Sequence, residues 1–231
     1  MHTFYLPDWE QIKVLPETES KHAVKVLRLK TGDKIRGIDG KGTELKATIS
    51  TPHPKRCEFI IDEIIHHEKP TQNISIAIAP TKSNDRIEWF LEKAVEIGIT
   101  EFTPLICTHS ERKKFNEQRW EKVLVSAMKQ SQRLWKPKIH PPVKFATFIQ
   151  EEQNAEVKAI AYCGEKFPKK EFAKITDSTK NQLILIGPEG DFSPEETQNA
   201  IQKGFTATTL GNNRLRTETA GVVACTLMKF A

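Results

Sequence analysis

Two glycine-containing loops, each of which follows a short apolar run, constrain the fold of this chain more than any other feature. An apolar run at residues 183–186 opens into Gly-Pro-Glu-Gly at 187–190, and a second run at 206–210 ends immediately before Gly211. Ligands of α/β proteins bind outside the carboxyl ends of parallel strands, where neighbouring loops meet. The sequence therefore predicts one ligand pocket lined by both loops.

The residues after the first loop carry the signals of a helix start. Ser193 is a candidate N-cap, Pro194 suits the first helical position, and Glu196 can complete a capping box. Gly204 is placed to end this helix. The same strand-then-helix alternation extends from residue 73 to the end, with strands predicted at 74–79, 102–107, 157–162, 183–186 and 206–210, and helices at 85–97, 116–133 and 220–230. This alternation predicts an α/β fold with a parallel sheet covered on both faces.

The first 70 residues follow a different pattern, that of a small β-rich module. Strands are predicted at 34–38, 43–49 and 57–65, with Asp39-Gly40 as a hairpin turn. Ser20 is a candidate N-cap for a short helix at 21–28, and residues 66–70 are predicted to form a linker. We therefore expect a small β-barrel domain at 1–70 and an α/β domain at 71–231.

The composition excludes several classes of protein. With 231 residues, of which 38% are hydrophobic and 28% charged, the chain can bury a substantial core. No apolar run approaches the ~18 residues of a membrane span, and the first residues lack a signal region, so a cytoplasmic protein without membrane association is expected. The cysteines are too far apart to suggest a metal site, and buried free thiols are predicted at Cys57, Cys107, Cys163 and Cys225.

The positive charge of the chain is concentrated in one segment. The net charge is +5, and residues 110–140 contain nine Lys or Arg against three Glu. Residues 1–70 are nearly neutral, with twelve basic and eleven acidic residues. Such a local basic patch is typical of a polyanion partner, although a charge run alone is more often a solvated helix face.

The two loops contain specific strings of residues, Gly187-Pro-Glu-Gly190 with Phe192-Ser193 and Leu210-Gly211 with Leu215-Arg216-Thr217-Glu218-Thr219-Ala220. These strings resemble those of the RsmE family of SPOUT RNA methyltransferases, and the resemblance covers nearly the whole chain. Upstream residues fit as well: His22-Ala23-Val24, Val26-Leu27-Arg28, Gly32-Asp33, Lys82, Asp85-Arg86, Glu88, Lys93, Glu96, Gly98, Ser110-Glu111-Arg112, Arg119-Trp120, Gln130-Ser131 and Arg133. Two positions depart from the family pattern, Asp191, where a second glycine is more frequent, and Asn213-Arg214.

The resemblance implies an S-adenosylmethionine-dependent enzyme that methylates N3 of a uridine in 16S ribosomal RNA, within an assembled small subunit. It also implies a SPOUT-type trefoil knot, a PUA-like or OB-like β-barrel before it, a homodimer and no metal. Two rival functions stay open at this point. The first is a SPOUT enzyme that methylates a ribose 2′-hydroxyl, and the second is a noncatalytic RNA-binding or ribosome-assembly factor.

The same resemblance assigns candidate site residues. The cofactor set comprises Leu185, Ile186, Gly187, Glu189, Gly190, Leu210, Gly211, Asn212, Leu215 and Thr217. Arg216 and Glu218 are the catalytic candidates, because methylating N3 requires loss of a proton and stabilisation of a uracil anion. A structural ion pair between Arg216 and Glu218 is the alternative. The candidate RNA contacts are Arg28, Arg112, Arg119, Lys129 and Arg133, with Trp135 as a possible stacking platform and Trp120 as core.

Overall fold

The computed structural model describes residues 1–111 and 115–231, which form two compact units. The first unit comprises Met1–Lys69 and Val125–Lys136, and the second comprises Pro70–Leu124 and Pro137–Ala231. The domain boundary predicted at residue 70 leaves residues 125–136 in the second domain, whereas the structure places them in the first unit. The reason is backbone pairing across a long sequence separation: Gly42 N–H donates to the Leu134 carbonyl, and Lys136 N–H donates to the Gly40 carbonyl.

The first unit is built on a four-stranded sheet. Its elements are β1 (His2–Tyr5), α1 (Glu17–Lys21), which continues into a π-helical turn at His22–Val26, β2 (Lys34–Ile38), β3 (Thr43–Thr51) and β4 (Glu58–His66). The strand order is β1-β2-β3-β4, with β1 parallel to β2 and the other pairs antiparallel. The predictions of β2, β3 and β4 are confirmed, whereas the four-residue β1 was not predicted.

The predicted cap at Ser20 is wrong. The helix begins at Glu17, after Pro16, and Ser20 is fully buried. Its hydroxyl donates to the Leu15 carbonyl at 2.8 Å and accepts from the Cys57 N–H at 3.0 Å. The Ser20 hydroxyl therefore satisfies a buried backbone group of a distant segment, a role that local sequence cannot reveal.

The second unit contains a fully parallel sheet. Its strands are β5 (Ile74–Ile78), β6 (Glu101–Ile106), β7 (Lys138–Ile139), β8 (Val143–Lys144), β9 (Val157–Ala161), β10 (Lys170–Glu171), β11 (Gln182–Ile186) and β12 (Thr206–Thr209). Its helices are α2 (Asn84–Ile97), α3 (Glu117–Gln130), α4 (Phe145–Phe148), α5 (Pro194–Gln202) and α6 (Thr217–Phe230), with a 3₁₀ turn at Phe172–Lys174. Residues of α3 from Val125 onward belong to the first unit.

The order of the parallel strands is β10-β12-β9-β11-β5-β6-β7, and β8 pairs with β6. This confirms the predicted α/β class and its parallel sheet. The five longer strands were predicted, but β7, β8, β10 and α4 have two to four residues each and are too short to show a period. The trefoil knot stays a prediction.

The helix signals read from the sequence are largely confirmed. The Ser193 hydroxyl accepts a hydrogen bond from the Glu196 N–H, and the Glu196 carboxylate accepts one from the Ser193 N–H. These two bonds complete the capping box of α5. Gly98, at φ +131°, ends α2. None of the described helices is both long and apolar enough to cross a lipid bilayer.

Helices α2 and α6 pack closely against each other, and a glycine makes this possible. A Cβ at Gly221 would lie 2.5 Å from the Phe90 ring and 3.2 Å from Ile78. Only a residue without a side chain permits this distance. The start of α6 is thereby held beside α2 and β5, and it lies next to the loop that follows β12.

Candidate functional site

A cavity of about 680 Å³ opens at the carboxyl edge of the parallel sheet. Three loops line it, those that follow β11, β12 and β9. The first two were predicted. The third contributes Tyr162, Cys163 and Lys169, and it was not predicted, because its single glycine, Gly164, was not part of a recognised loop motif. The sequence did predict β9 as a strand, whose end is a candidate ligand-binding position. The position of β9 between β11 and β12 is visible only in the structure.

Most of the predicted cofactor residues lie together on the wall of this cavity. Eight of the ten line it: Ile186, Gly187, Glu189, Leu210, Gly211, Asn212, Leu215 and Thr217. Leu185 does not, because it is fully buried in the core on the other face of β11 from Ile186. Gly190 is also outside the lining, and a Cβ at this position would meet His109 at 3.1 Å.

The two predicted loops are tied to each other through backbone carbonyls. The Thr217 hydroxyl, at the first position of α6, donates to the Gly187 carbonyl at 3.2 Å. The Thr209 hydroxyl donates to the Gly211 carbonyl at 2.7 Å and tightens the turn after β12. Gly211 adopts φ +136°, and a Cβ there would meet no heavy atom of the described chain within 4 Å. The backbone at Gly211 therefore faces open space and can be approached closely by a ligand.

Arg86 lines the cavity, although it was named from the sequence only as part of the family resemblance and was not assigned to the site. It lies in the first turn of α2. Its Nη1 is 3.1 Å from Glu189 Oε1, and its Nε is 3.7 Å from Glu218 Oε1. One guanidinium thus joins the loop after β11 to the start of α6. The sequence did place Arg86 in the helix that follows β5. That β5 is adjacent to β11 is visible in the structure.

The two catalytic candidates occupy different environments. Arg216 is exposed, lines the cavity and stands immediately before α6. The Glu218 side chain is only 8% exposed and lies outside the lining, and within the described chain its Oε2 has no hydrogen-bond partner. The structural ion pair between Arg216 and Glu218, held open above, is not formed among the described residues. Glu218 contacts Arg86 instead.

The charges around the cavity are predominantly positive. Four cationic side chains, Arg86, Lys169, Arg214 and Arg216, face two acidic ones, Glu189 and Asp191. Partial burial of the Cys163 thiol raises its pKa although the residue is exposed overall, with the charge of Asp191 acting in the same direction and the charges of Arg214 and Lys169 opposing it. An excess of cations at the mouth of a cavity favours an anionic ligand or substrate.

The described members of the predicted RNA-contact set lie in different local environments. Arg112 lies outside the described residues. Arg119 donates from Nη2 to Glu88 Oε2 at 2.8 Å, and Lys129 Nζ is 2.5 Å from Glu19 Oε1. Arg133 is half-buried, and its burial lowers the pKa of the guanidinium. Arg28 is exposed, at φ +57°.

The two tryptophans considered for stacking are both packed. Trp120 is 1% exposed, as expected of a core residue. Trp135 lies against Gly42, where a Cβ would be 2.2 Å from its ring, so that part of the ring is already covered. Its Nε1 is buried without a hydrogen-bond partner in the described chain.

The four cysteines differ in exposure, and none belongs to a metal-ligand cluster of the described residues. Cys57, Cys107 and Cys225 are buried free thiols, as predicted, but Cys163 is exposed because it follows β9 into the cavity loop. Over the described ranges 1–111 and 115–231, no three His, Cys, Asp or Glu side chains are grouped to hold a metal ion.

Comparison with known proteins identifies the family of this chain. A family model described as an RNA methyltransferase domain matches residues 67–229, and one described as an RNA methyltransferase PUA domain matches residues 15–62. Ribosomal RNA small subunit methyltransferase E of Mesomycoplasma hyopneumoniae is 33% identical, over 98% of this chain and 98% of that protein. The chain belongs to the ribosomal RNA small subunit methyltransferase E family.

Solved structures support membership in the methyltransferase E family. The probable rRNA-methyltransferase from Porphyromonas gingivalis is 42% identical, with a TM-score of 0.92, and the match covers 97% of this chain and 95% of that one. Ribosomal RNA small subunit methyltransferase E from Neisseria gonorrhoeae, bound to S-adenosyl methionine, is 26% identical with a TM-score of 0.82, covering 99% and 96%. The predicted resemblance and the PUA-like character of the leading module are thereby confirmed.

Proposed function

We propose that this chain transfers a methyl group from S-adenosylmethionine to N3 of a uridine in 16S ribosomal RNA. The observation that carries the proposal is the cavity at the carboxyl edge of the sheet, where the loops after β11 and β12 present glycines and backbone carbonyls. The homologue from Neisseria gonorrhoeae binds S-adenosyl methionine. Within the family shown above, the same cofactor is the natural occupant of this cavity.

The cavity fits such a cofactor in size and chemistry. A volume of about 680 Å³ is within the range of roughly 300–1,000 Å³ that small-molecule sites have. Ile186, Leu210 and Leu215 supply apolar surface for the faces of a purine, and the backbone at Gly187 and Gly211 supplies polar groups for its edges. When bound, S-adenosylmethionine supplies an electrophilic methyl group on a sulfonium.

Residues of this chain would meet the two demands of methylation at uridine N3. The N3 proton must leave, and the negative charge that develops on uracil must be stabilised. Arg216, exposed on the cavity wall, is the group suited to that negative charge. Glu218 is the candidate proton acceptor; its Oε1 lies 3.7 Å from Arg86 Nε, and because its side chain is outside the cavity lining, this role requires it to turn toward the cavity.

We further propose that the substrate is an assembled small subunit in the cytoplasm and that the enzyme is a trefoil-knotted homodimer. The PUA-like domain would contact the RNA, with Arg28 as one of its exposed cations. Light scattering tests the dimer, which should have about twice the chain mass of 26.3 kDa. A monomer that methylates RNA at micromolar concentration would contradict this part.

Titration calorimetry with S-adenosylmethionine, its demethylated product and a dinucleotide tests the cofactor. We expect binding of the first two alone. Mass spectrometry of 16S ribosomal RNA from small subunits incubated with enzyme and cofactor then identifies the modified atom. Methylation at a ribose 2′-oxygen would replace our proposal with the first rival function, and absence of both binding and methylation would favour a noncatalytic factor.

The catalytic assignment has its own test. Arg216→Ala and Glu218→Gln should leave cofactor and RNA affinity near normal while single-turnover methylation falls by ~100-fold, the scale of losing a general base or an anion-stabilising group. Variants that bind poorly but react normally at saturation would refute these roles.

Melting temperatures distinguish the candidate RNA contact Arg28 from Lys129, which also has a structural partner. Arg28→Ala should weaken RNA binding and reduce its salt dependence without changing the melting temperature, because Arg28 is exposed. Lys129→Ala should lower the melting temperature, because Lys129 is paired with Glu19 and both side chains are mostly buried. If Lys129→Ala affects RNA affinity alone, the ion pair is not a stabilising contact.

A further inference from the structure

Asp191 occupies a backbone conformation that side chains rarely adopt. Its φ is +64°, in the left-handed region, and its N–H donates to the Pro188 carbonyl at 2.9 Å, which closes the turn after β11. Glycine adopts this conformation without cost, whereas aspartate is one of the few other residues that tolerate it. Asp191 therefore maintains the turn and also places a carboxylate beside the cavity.

The added carboxylate connects two of the three cavity loops. Asp191 Oδ2 accepts from the Cys163 N–H, in the loop after β9, at 3.0 Å. The backbone carbonyl of Asp191 lies 3.0 Å from His109 Nδ1, in the segment after β6. One residue thus contacts segments that follow three different strands. Both Asp191 and Cys163 line the cavity.

We propose that Asp191 is a positioning residue that fastens the loop after β9 to the loop after β11 and thereby raises the affinity of the cavity for its cofactor. This inference rests on the function proposed above. The physical reason is preorganisation: a loop that is already held in its binding conformation loses less conformational entropy when the ligand binds. The loop after β9 needs such a contact because Cys163 is exposed and lies beyond the end of the strand.

Three substitutions separate the carboxylate from the backbone conformation. Asp191→Asn keeps an oxygen that can accept from the Cys163 N–H and tolerates positive φ. Asp191→Gly keeps the turn and removes the acceptor. Asp191→Ala removes the acceptor and strains the turn. We expect S-adenosylmethionine affinity within ~2-fold of the parent for Asn, about tenfold weaker for Gly, and weaker still for Ala, the scale expected for the loss of one hydrogen bond.

A matched control is Asp177→Ala. Asp177 also holds a turn, through a 3.0 Å bond from the Thr179 N–H, but it lies outside the cavity lining. Its loss should leave cofactor affinity unchanged. Circular dichroism of each variant verifies that it is folded, and the Asn and Gly variants keep the test decisive if the Ala variant is not.

Alkylation of Cys163 by iodoacetamide supplies a readout that does not depend on activity. Cys163 is the one exposed cysteine of the four, and a Cys163→Ser variant defines the background rate. Without cofactor, alkylation should be several-fold faster in the Gly variant than in the parent, because the loop is released. In the Asn variant the rate should stay closer to the parent.

The outcomes distinguish the two proposals. If the parent protein does not bind S-adenosylmethionine, the proposed function fails. If the parent binds but the Gly and Asn variants have the same affinity and the same alkylation rate as the parent, the fastening role of Asp191 is refuted while the function stands.

Discussion

The buried carboxylate of Glu218 depends on Arg86 for its charge compensation, and this dependence can be measured. The Arg86 Nε to Glu218 Oε1 distance is 3.7 Å, with side-chain exposures of 41% and 8%. At this distance the attraction is about 1 kcal/mol in bulk water and about 4 kcal/mol at an effective dielectric constant of about 20. Because Arg86 is more than one third exposed, screening keeps the coupling near the lower value, and we expect about 1–2 kcal/mol.

A double-mutant cycle with Arg86→Met and Glu218→Gln isolates this coupling. Urea unfolding followed by circular dichroism gives the free energy of unfolding of the four proteins. Arg86→Met alone should destabilise the most, because it leaves a buried charge without a partner, and Glu218→Gln should recover part of that loss. The matched control is the cycle of Arg86 with Glu189, whose side chain is 39% exposed, and its coupling should be about 0.5 kcal/mol or less.

The reasoning would be refuted by a coupling of Arg86 with Glu218 that is indistinguishable from zero, or that does not exceed the coupling with Glu189. Either result would mean that water, and not the guanidinium, compensates the carboxylate.

Three other predictions follow from single contacts. Gly211→Val should weaken cofactor binding by ~10-fold or more, because a φ of +136° is strained for valine and the side chain enters the cavity. Gly32→Val is the control, with φ +91° and equally open surroundings, and it should destabilise the protein without affecting cofactor binding. Calorimetry measures both affinities. The hydrogen bond from Arg36 lowers the pKa of Glu44 below its ordinary value of 4.5. The ionised Glu44 therefore contributes fully to stability above pH 4.5, and this contribution is lost as the pH falls through the lowered pKa. Glu44→Gln should remove this part of the pH dependence of urea unfolding, and an unchanged pH profile would contradict the prediction. Ser193→Ala should reduce the free energy of unfolding by about 1 kcal/mol through loss of the α5 cap, and an unaltered urea midpoint would show that the cap is not stabilising.

The cavity at the carboxyl edge of the sheet could be predicted in part from the sequence. Gly187 and Gly211 could be assigned to one pocket because each follows a predicted strand, and parallel strands end at the same edge. Leu185 was included with them, but it packs into a core cluster on the face of β11 opposite Ile186. Alternate residues of a strand point to opposite faces, both faces of β11 are buried, and no loop motif says which face borders the cavity. Arg86 was not singled out as a site residue because nothing in its own helix indicates that Glu189 and Glu218 lie beside it.

By itself, the sequence determined the class of fold, the longer strands and helices, the capping box of α5 and the strand ends that would carry a site. These features depend on periodicity and on hydrogen bonds between residues a few positions apart, which are visible in a linear chain. Three contacts were decided only by the tertiary structure. Ser20 does not cap a helix and instead accepts a hydrogen bond from Cys57, Lys129 pairs with Glu19, and Asp191 accepts a hydrogen bond from Cys163. In each case the partner is 28 or more residues away in the chain. A charged or hydroxyl side chain can satisfy many partners, and which one it meets is fixed by the packing of whole elements, for which local sequence carries no signal.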